Sequence, residues 1–180
     1  MIIIAADPGL RGAIAALKNG EQICWLQDMP LKELSNGKKM VCARQLTETI
    51  KQILSEHPHE DSIAIIEQVA TRPGEGAVGA FSFGRGFGVL EASIIARGLT
   101  LEMVRPQTWK KALGMTADKD DVRIKMMKKF PQVANMLKRK MDDGRAEALA
   151  IALYLWQRDY AWLLLKWYTC KKMLKYAWLW

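Results

Sequence analysis

The pattern of hydrophobic and polar positions predicts strands at the start of the chain. An apolar, β-branched run over residues 2–7 is typical of a strand covered on both faces, and a Pro-Gly turn follows its last residue, Asp7. Two further apolar runs, 12–17 and 22–26, flank an Asn-Gly pair at 19–20, which is a strong hairpin signal. The first three strands are therefore expected to form an antiparallel meander.

The next segments predict a parallel crossover. Residues 41–54 carry apolar side chains at approximately helical spacing, and residues 62–69 form a second apolar strand that contains Glu67. A helix that connects two buried strands implies that the strands run parallel. With a further strand over 99–104, the pattern predicts an α/β fold in which helices pack on a mixed sheet.

Residues 72–98 are expected to begin as a glycine-rich, basic and aromatic loop and to end as a helix. The segment contains Gly84, Gly86 and Gly88 in close succession. The spacing of these glycines does not match a phosphate-binding fingerprint. The signal for a phosphate-binding loop is therefore weak.

Three helices are predicted in the C-terminal half. Pro106 suits the first turn of a short helix that stops at Gly114. Thr116 or Asp118 is expected to cap a basic helix through Phe130. Asp142 or Asp143 is expected to cap the last helix, because a short acidic side chain there satisfies free amide donors and suits the positive end of the helix dipole.

Composition indicates one globular domain with a locally basic surface. The chain has 180 residues, half of them hydrophobic, and a net charge of +8. Residues 105–145 carry 12 basic and 5 acidic side chains, whereas residues 1–104 carry 10 basic and 12 acidic ones. The basic segment is either a solvated face or a surface that binds a phosphate backbone.

The cysteines and the N-terminal residues indicate the cellular compartment of the protein. Cys24, Cys42 and Cys170 form no CxxC pair and no Cys/His cluster, which argues against a disulfide framework and against zinc. The opening residues lack a basic leader and reach an acid after six positions. We therefore expect a cytoplasmic protein with reduced thiols and no integral membrane span.

Four acids are candidates for one metal site. Asp7 and Glu67 each end an apolar strand, while Asp143 and Glu147 lie one turn apart on the margin of an apolar helix face. Each acid alone is typical of a turn, a cap or a solvated strand end. Together they would repel one another unless cations were bound, and hard oxygen ligands favour Mg²⁺ or Mn²⁺. Two such ions about 4 Å apart are the usual arrangement for phosphodiester cleavage.

The acidic segments resemble a known family. IIIAADPG, IIEQV and DDGRAEALAIAL are similar to the three acidic segments of the RuvC-like Holliday junction resolvases, which belong to the ribonuclease H-like superfamily. RPGEGAVGAFSFGRGFG and RPQTWKKALG are similar to the phage-type branch. The resemblance implies a mixed five-stranded sheet flanked by helices, with a nuclease domain over residues 1–158. It does not explain the apolar, Trp-rich extension over residues 159–180.

The resemblance also implies an activity and its metal ligands. The expected protein is a structure-selective DNA endonuclease that resolves four-way junctions by paired nicks and leaves 5′-phosphate ends. Two Mg²⁺ ions per site, which Mn²⁺ could replace, would be held by Asp7, Glu67 and a pair from the last helix. Asp143 and Glu147 are the preferred pair, with Asp142 as the alternative member.

A further set of basic and aromatic residues is expected to contact the DNA. Lys119 resembles a lysine that the family places near the scissile phosphate, although a surface lysine is the plain alternative. The family's aromatic wedge position holds Ala70 here, so Phe81 or Phe83 is the better wedge candidate. Trp109 is predicted to be core. The expected contacts to the DNA backbone are made by Arg72, Arg85, Lys110 and Lys111.

The expected partners are branched DNA and a second copy of the chain. A four-way junction has two-fold symmetry, so paired nicking implies a homodimer, and the resemblance implies a bacterial host cell and a phage-encoded chain. Residues 159–180 are expected to dock on the domain, to join the dimer interface, or to lie on a membrane surface. Two other functions stay open: a nuclease that acts on RNA:DNA hybrids or other branched DNA, and a non-catalytic DNA-binding protein.

Overall fold

A mixed five-stranded sheet forms the centre of the protein. The computed structural model describes residues 1–70, 74 and 76–160, without the side chain of Lys119. Most of the predicted extension 159–180 thus lies outside the described residues. The described residues form seven strands, numbered in chain order: β1 Ile2–Asp7, β2 Ala13–Lys18, β3 Gln22–Asp28, β4 Leu31–Glu33, β5 Lys39–Val41, β6 Ser62–Glu67 and β7 Thr100–Val104.

The sheet has the order β3-β2-β1-β6-β7, and β4 and β5 form a separate two-stranded hairpin. The strands β1, β2 and β3 pair antiparallel, whereas β6 runs parallel to both β1 and β7. The predicted meander and crossover are therefore confirmed, as is the mixed five-stranded sheet. The small hairpin was not predicted, because its strands are only three residues long and mostly polar or exposed.

Within the described part of the chain, five α-helices cover the two faces of the sheet. They are α1 Ala43–Glu56, α2 Ala77–Ile95, α3 Pro106–Ala112, α4 Lys119–Lys129 and α5 Asp143–Asp159. The caps and stops are partly as expected: the Asp118 carboxylate accepts a hydrogen bond from the amide of Asp120, and Gly114 follows α3 with a φ of +62°. The helix α5 packs across β1 and β2, while α1 and α2 lie together on the opposite face.

Strand residues alternate between two hydrophobic cores. Ile3, Ala5 and Ile65 belong to the core under α5, whereas Ile4 and Ile66 belong to the core under α1 and α2. Successive side chains of a strand point to opposite faces, so a strand with both faces covered is apolar throughout. The strands β1 and β6 are therefore fixed in the middle of the molecule, and their last residues end at one edge of the sheet.

The glycine-rich segment is helical, which corrects the prediction of a loop. The helix α2 starts at Ala77 and includes Gly84, Gly86 and Gly88. A Cβ at Gly86 would lie 3.1 Å from Val41 Cγ2, so the missing side chain lets α2 approach β5. Tertiary packing here outweighs the low helix propensity of glycine. Length and composition alone would let α2 cross a membrane, but one such helix is weak evidence for a span.

Candidate active site

Asp7 and Glu67 lie at neighbouring strand ends on the same face of the sheet. In the parallel pair β1 and β6, Ala6 is the partner of Ile66, so the next residue of each strand is an acid. The pair Ala6 and Ile66 faces the core under α1 and α2. Asp7 and Glu67 follow them, and alternation therefore directs both acids to the face that α5 covers. Side chains on opposite faces of the sheet could not have shared one site.

Two glycines bring the start of α5 to the end of β1. A Cβ at Gly144 would lie 2.2 Å from the carbonyl oxygen of Arg11 and 3.0 Å from Gly12 Cα. A Cβ at Gly12 would lie 1.9 Å from the carbonyl oxygen of Asp7. Since these neighbours are backbone atoms, only glycine permits the contact. The helix α5 therefore begins against the loop after Asp7, and Glu147 follows one turn into the helix.

The acids open onto a cleft of about 480 Å³. Its lining includes three carboxylates, from the ends of β1 and β6 and from α5. It also includes two cationic side chains, from the loop after β1 and from α3. Phe83 of α2 also reaches it, close to Gly9. The described residues that line the cleft are Asp7, Pro8, Gly9, Leu10, Arg11, Gly12, Glu67, Val69, Ala70, Phe83, Pro106, Lys110 and Glu147.

Glu67 is buried and accepts a hydrogen bond from Trp109. The glutamate is 8% exposed, and its Oε1 lies 2.9 Å from Trp109 Nε1. The indole belongs to the core under α5 and is fully buried, as the sequence predicted. The hydrogen bond was not predicted. Its donor and acceptor are 42 residues apart, and no local pattern pairs an apolar helix residue with a strand-end acid.

Glu147 is buried and paired with Lys110. The Lys110 Nζ donates to Glu147 Oε1 at 2.8 Å and lies 5.0 Å from the centre of the Trp109 ring. The glutamate is 6% exposed, so the ammonium supplies the counter-charge that a buried carboxylate requires. Lys110 therefore lies inside the cleft, whereas its neighbour Lys111 is exposed. Trp109 and Lys110, which are adjacent in α3, thus engage two different acids of the cleft, Glu67 and Glu147.

Asp142 has a structural role, which corrects its expected helix cap. It precedes α5, but its side chain makes no cap hydrogen bond there. Its carboxylate instead accepts from the Arg139 amide and guanidinium at 2.8 to 3.4 Å. Burial opposes ionisation, but these hydrogen bonds and the charge of Arg145 outweigh it, and the pKa of Asp142 is lowered. Asp143 is half-buried, and the described lining of the cleft does not include it.

The donor chemistry of the cleft suits a hard divalent cation. Asp7, Glu67 and Glu147 offer carboxylate oxygens, which Mg²⁺ and Mn²⁺ prefer. Among the described residues, no three Asp, Glu, His or Cys side chains come close enough together to hold an ion as they stand. Since Lys110 engages Glu147 Oε1, a cation bound to that oxygen would compete with this ammonium.

The predicted DNA-contacting residues are spread over several elements. Phe83 is half-buried at the cleft, whereas Phe81 is 74% exposed on α2. Arg85 is exposed on the same helix and not in a loop, which corrects its predicted setting. Arg72 and the side chain of Lys119 lie outside the described residues. Sequence reasoning missed Arg11, which lines the cleft and whose only signal is its place just after the Asp-Pro-Gly turn.

Comparisons with known proteins rest on structure. No family model matches the sequence, and no curated protein matches it. Two solved structures of RuvC from Thermus thermophilus match most of the chain. One, in complex with a Holliday junction substrate, has a TM-score of 0.58 at 17% identity and covers 86% of this chain and 91% of its own.

The second, also RuvC from Thermus thermophilus, has a TM-score of 0.52 at 20% identity. It covers 86% of this chain and 92% of its own. At identities below 25%, the structural likeness shows the fold alone. The protein therefore has a RuvC-like fold of the ribonuclease H-like α/β class.

Proposed function

We propose that the protein is a divalent-metal-dependent DNA endonuclease that resolves four-way junctions by paired nicks and leaves 5′-phosphate ends. One observation carries the proposal: Asp7, Glu67 and Glu147 line a single cleft at the carboxyl ends of two parallel strands, in a RuvC-like fold. In open α/β sheets this edge is the usual place for a site.

The proposed metal ligands are Asp7, Glu67, Glu147 and Asp143, and the proposed cofactors are two Mg²⁺ ions that Mn²⁺ can replace. When bound, such ions supply a water nucleophile at neutral pH and stabilise charge on the leaving oxygen. The protein's part is to hold the carboxylates in place. The strands β1 and β6 do this for Asp7 and Glu67, because both strands are packed between two cores.

Cationic side chains in and around the cleft would handle the phosphate. Lys110 Nζ is already inside the cleft, and once Glu147 binds a cation the ammonium can donate to a phosphate oxygen. Lys119 at the start of α4 is proposed for the same purpose. The exposed Lys111 and Arg85, with Arg72, are proposed to contact the DNA backbone, and Phe83 at the cleft is the favoured aromatic wedge.

A homodimer is proposed because a two-fold junction requires two active sites. The helix α2 exposes apolar side chains, among them Phe81 and Ile95. At about 100° per residue, Phe81, Gly88, Ala92 and Ile95 fall within about 60° of one another on the helix surface. A stripe of this kind suits an isologous contact between two copies.

The decisive experiment compares three substrates with and without Mg²⁺: a synthetic four-way junction, a linear duplex and an RNA:DNA hybrid. Asp7→Asn and Glu67→Gln should each lower junction nicking at least about 10³-fold, because each removes an anionic metal ligand. Binding to the junction in Ca²⁺ should stay within about threefold. Glu48→Gln on the exposed face of α1 is the matched control and should nick normally.

The outcomes separate the alternatives. Unchanged nicking by either cleft variant would remove the metal assignment. Preferential cleavage of the RNA:DNA hybrid would support the metal-dependent nuclease chemistry but assign a different substrate. Junction binding by the wild type without nicking in Mg²⁺ or Mn²⁺ would identify a non-catalytic DNA-binding protein.

A further inference from the structure

Trp109 stands out because a fully buried core residue also reaches the candidate site. The residue is 0% exposed on α3 and belongs to the same buried cluster as Ile65 and Leu149. Interiors are close-packed, so a ring of this size has little freedom to move. Its Nε1 therefore lies at a fixed place, 2.9 Å from Glu67 Oε1.

The indole N–H of Trp109 is a neutral donor, whereas the donor that α3 offers to Glu147 is the charged ammonium of Lys110. Lys110 lies 2.8 Å from Glu147 and cancels the charge of that carboxylate. The indole N–H of Trp109 satisfies one lone pair of Glu67 and, being neutral, does not cancel the negative charge of the carboxylate. A buried carboxylate needs such donors, since an unsatisfied oxygen away from water is costly. Hydrogen bonding by Trp109 thus orients Glu67 without competing for a cation.

We infer that Trp109 is a positioning residue whose indole N–H holds the Glu67 carboxylate in the orientation that receives a divalent cation. The inference rests on the proposed function, because it takes Glu67 as a metal ligand. Groups that hydrogen-bond a metal ligand fix its orientation, and their loss commonly weakens metal binding about 10- to 100-fold. A purely space-filling tryptophan would contribute shape but nothing that depends on the N–H.

The test replaces the N–H and keeps the shape. In the 180-residue chain, Trp109 is replaced by β-(3-benzothienyl)alanine, in which sulfur stands where the indole has N–H. The same replacement at Trp25 is the matched control, because Trp25 Nε1 is buried and has no hydrogen-bond partner among the described residues. Mn²⁺ affinity is measured by isothermal titration calorimetry, and folding is followed by thermal unfolding.

We expect the change at Trp109 to weaken Mn²⁺ binding about 10-fold or more and the change at Trp25 to leave it unaltered. In a Glu67→Gln background, the change at Trp109 should have no further effect on Mn²⁺ affinity, since its acceptor no longer binds the ion. Equal Mn²⁺ affinities for the wild type and the Trp109 replacement would overturn the inference. A persistent loss in the Glu67→Gln background would also overturn it, because the effect would then not pass through Glu67.

A second measurement needs no change at Trp109. In a ¹⁵N-labelled wild type, the indole N–H signal of Trp109 should shift during a Mg²⁺ titration with the affinity found by calorimetry, while that of Trp25 should stay in place. A Trp109 signal that does not respond to saturating Mg²⁺ would overturn the inference. Absence of any Mn²⁺ or Mg²⁺ binding by the wild type would instead refute the metal assignment itself, and the inference with it.

Discussion

Charged residues at the start of α5 have different roles although they lie close together in the sequence. Asp142 is 3% exposed and accepts from Arg139, which fixes the turn that precedes the helix. Arg145 binds both carboxylate oxygens of Asp28, a residue of β3. Glu147 faces the cleft. The acidic cluster in the sequence therefore divides into a structural acid and a candidate ligand only five residues apart.

Asp142→Asn is expected to lower the free energy of unfolding by about 1 to 3 kcal/mol at pH 7, because it weakens charge-assisted hydrogen bonds to a buried group. The folded pKa of Asp142 is lowered from its ordinary value of 3.8. The stabilisation is therefore present above about pH 4 and is lost as the pH falls through the folded pKa. The difference between wild type and variant should shrink accordingly.

Urea unfolding at pH 7 and at successively lower pH measures this difference. Asp61→Asn, at an exposed position, is the control and should unfold like the wild type at each pH. A difference for Asp142→Asn that stays constant on acidification would show that the effect does not arise from the ionised carboxylate.

Elements, rather than single residues, assemble the cleft. The strands β1 and β6 supply two acids at one sheet edge, α5 supplies a third, and α3 inserts Trp109 and Lys110 between them. The approach of α5 depends on backbone contact at Gly144. The site thus depends on how closely a helix end can approach a strand end.

Gly144→Ala tests this approach. Alanine is the better helix former by about 1 kcal/mol, but its Cβ would meet the Arg11 carbonyl at 2.2 Å, and backbone cannot move aside cheaply. We expect a net destabilisation of about 1 to 3 kcal/mol. Junction nicking by the folded fraction should fall at least about tenfold, because Glu147 is displaced.

Chemical unfolding and nicking rates measure both effects. Gly76→Ala is the matched control, since an added Cβ there meets nothing within 4 Å, and its stability should change by less than about 0.5 kcal/mol. A Gly144→Ala variant as stable and as active as the wild type would show that α5 does not rely on this contact.

At the scale of the whole molecule, charge and apolar surface are separated. The sequence from 105 to 145 carries most of the excess positive charge, whereas α2 presents exposed apolar residues on the other side of the sheet. A dimer formed through the apolar stripe of α2 would then leave the basic segment 105–145 uncovered. Arg85, which is proposed to contact DNA, lies on α2 beside that stripe, so DNA would also reach the border of the dimer contact.

Ile95→Asp is expected to convert the proposed dimer into a monomer, because it places a charge in an apolar contact. Sedimentation equilibrium measures the mass. Ile124→Asp on α4 is the matched control, since Ile124 is 45% exposed and Ile95 is 54% exposed, and this variant should keep the wild-type mass. A wild type that is monomeric at all concentrations, or a dimeric Ile95→Asp, would reject this surface.

Local patterns in the sequence determined the framework of the protein. Alternation, turn residues and apolar runs are local properties, so β1, β2, β3 and β6 were placed within about two residues, and Asp7 and Glu67 were recognised as strand-end acids. Their arrival on one face depends on the register of β1 against β6. A mixed sheet was predictable because a meander followed by a crossover leaves few other topologies.

Tertiary structure alone decided the contacts that give the cleft its chemistry. The pairing of Lys110 with Glu147 and of Trp109 with Glu67 joins residues 37 and 42 positions apart, and no local pattern predicts which side chains meet across such a distance. The helical state of the glycine-rich segment was likewise decided by packing, since intrinsic propensity opposed it. Periodicity and turn signals act over a few residues, so the local pattern determined which groups could take part in the cleft. Close packing between distant elements determined which of these groups pair.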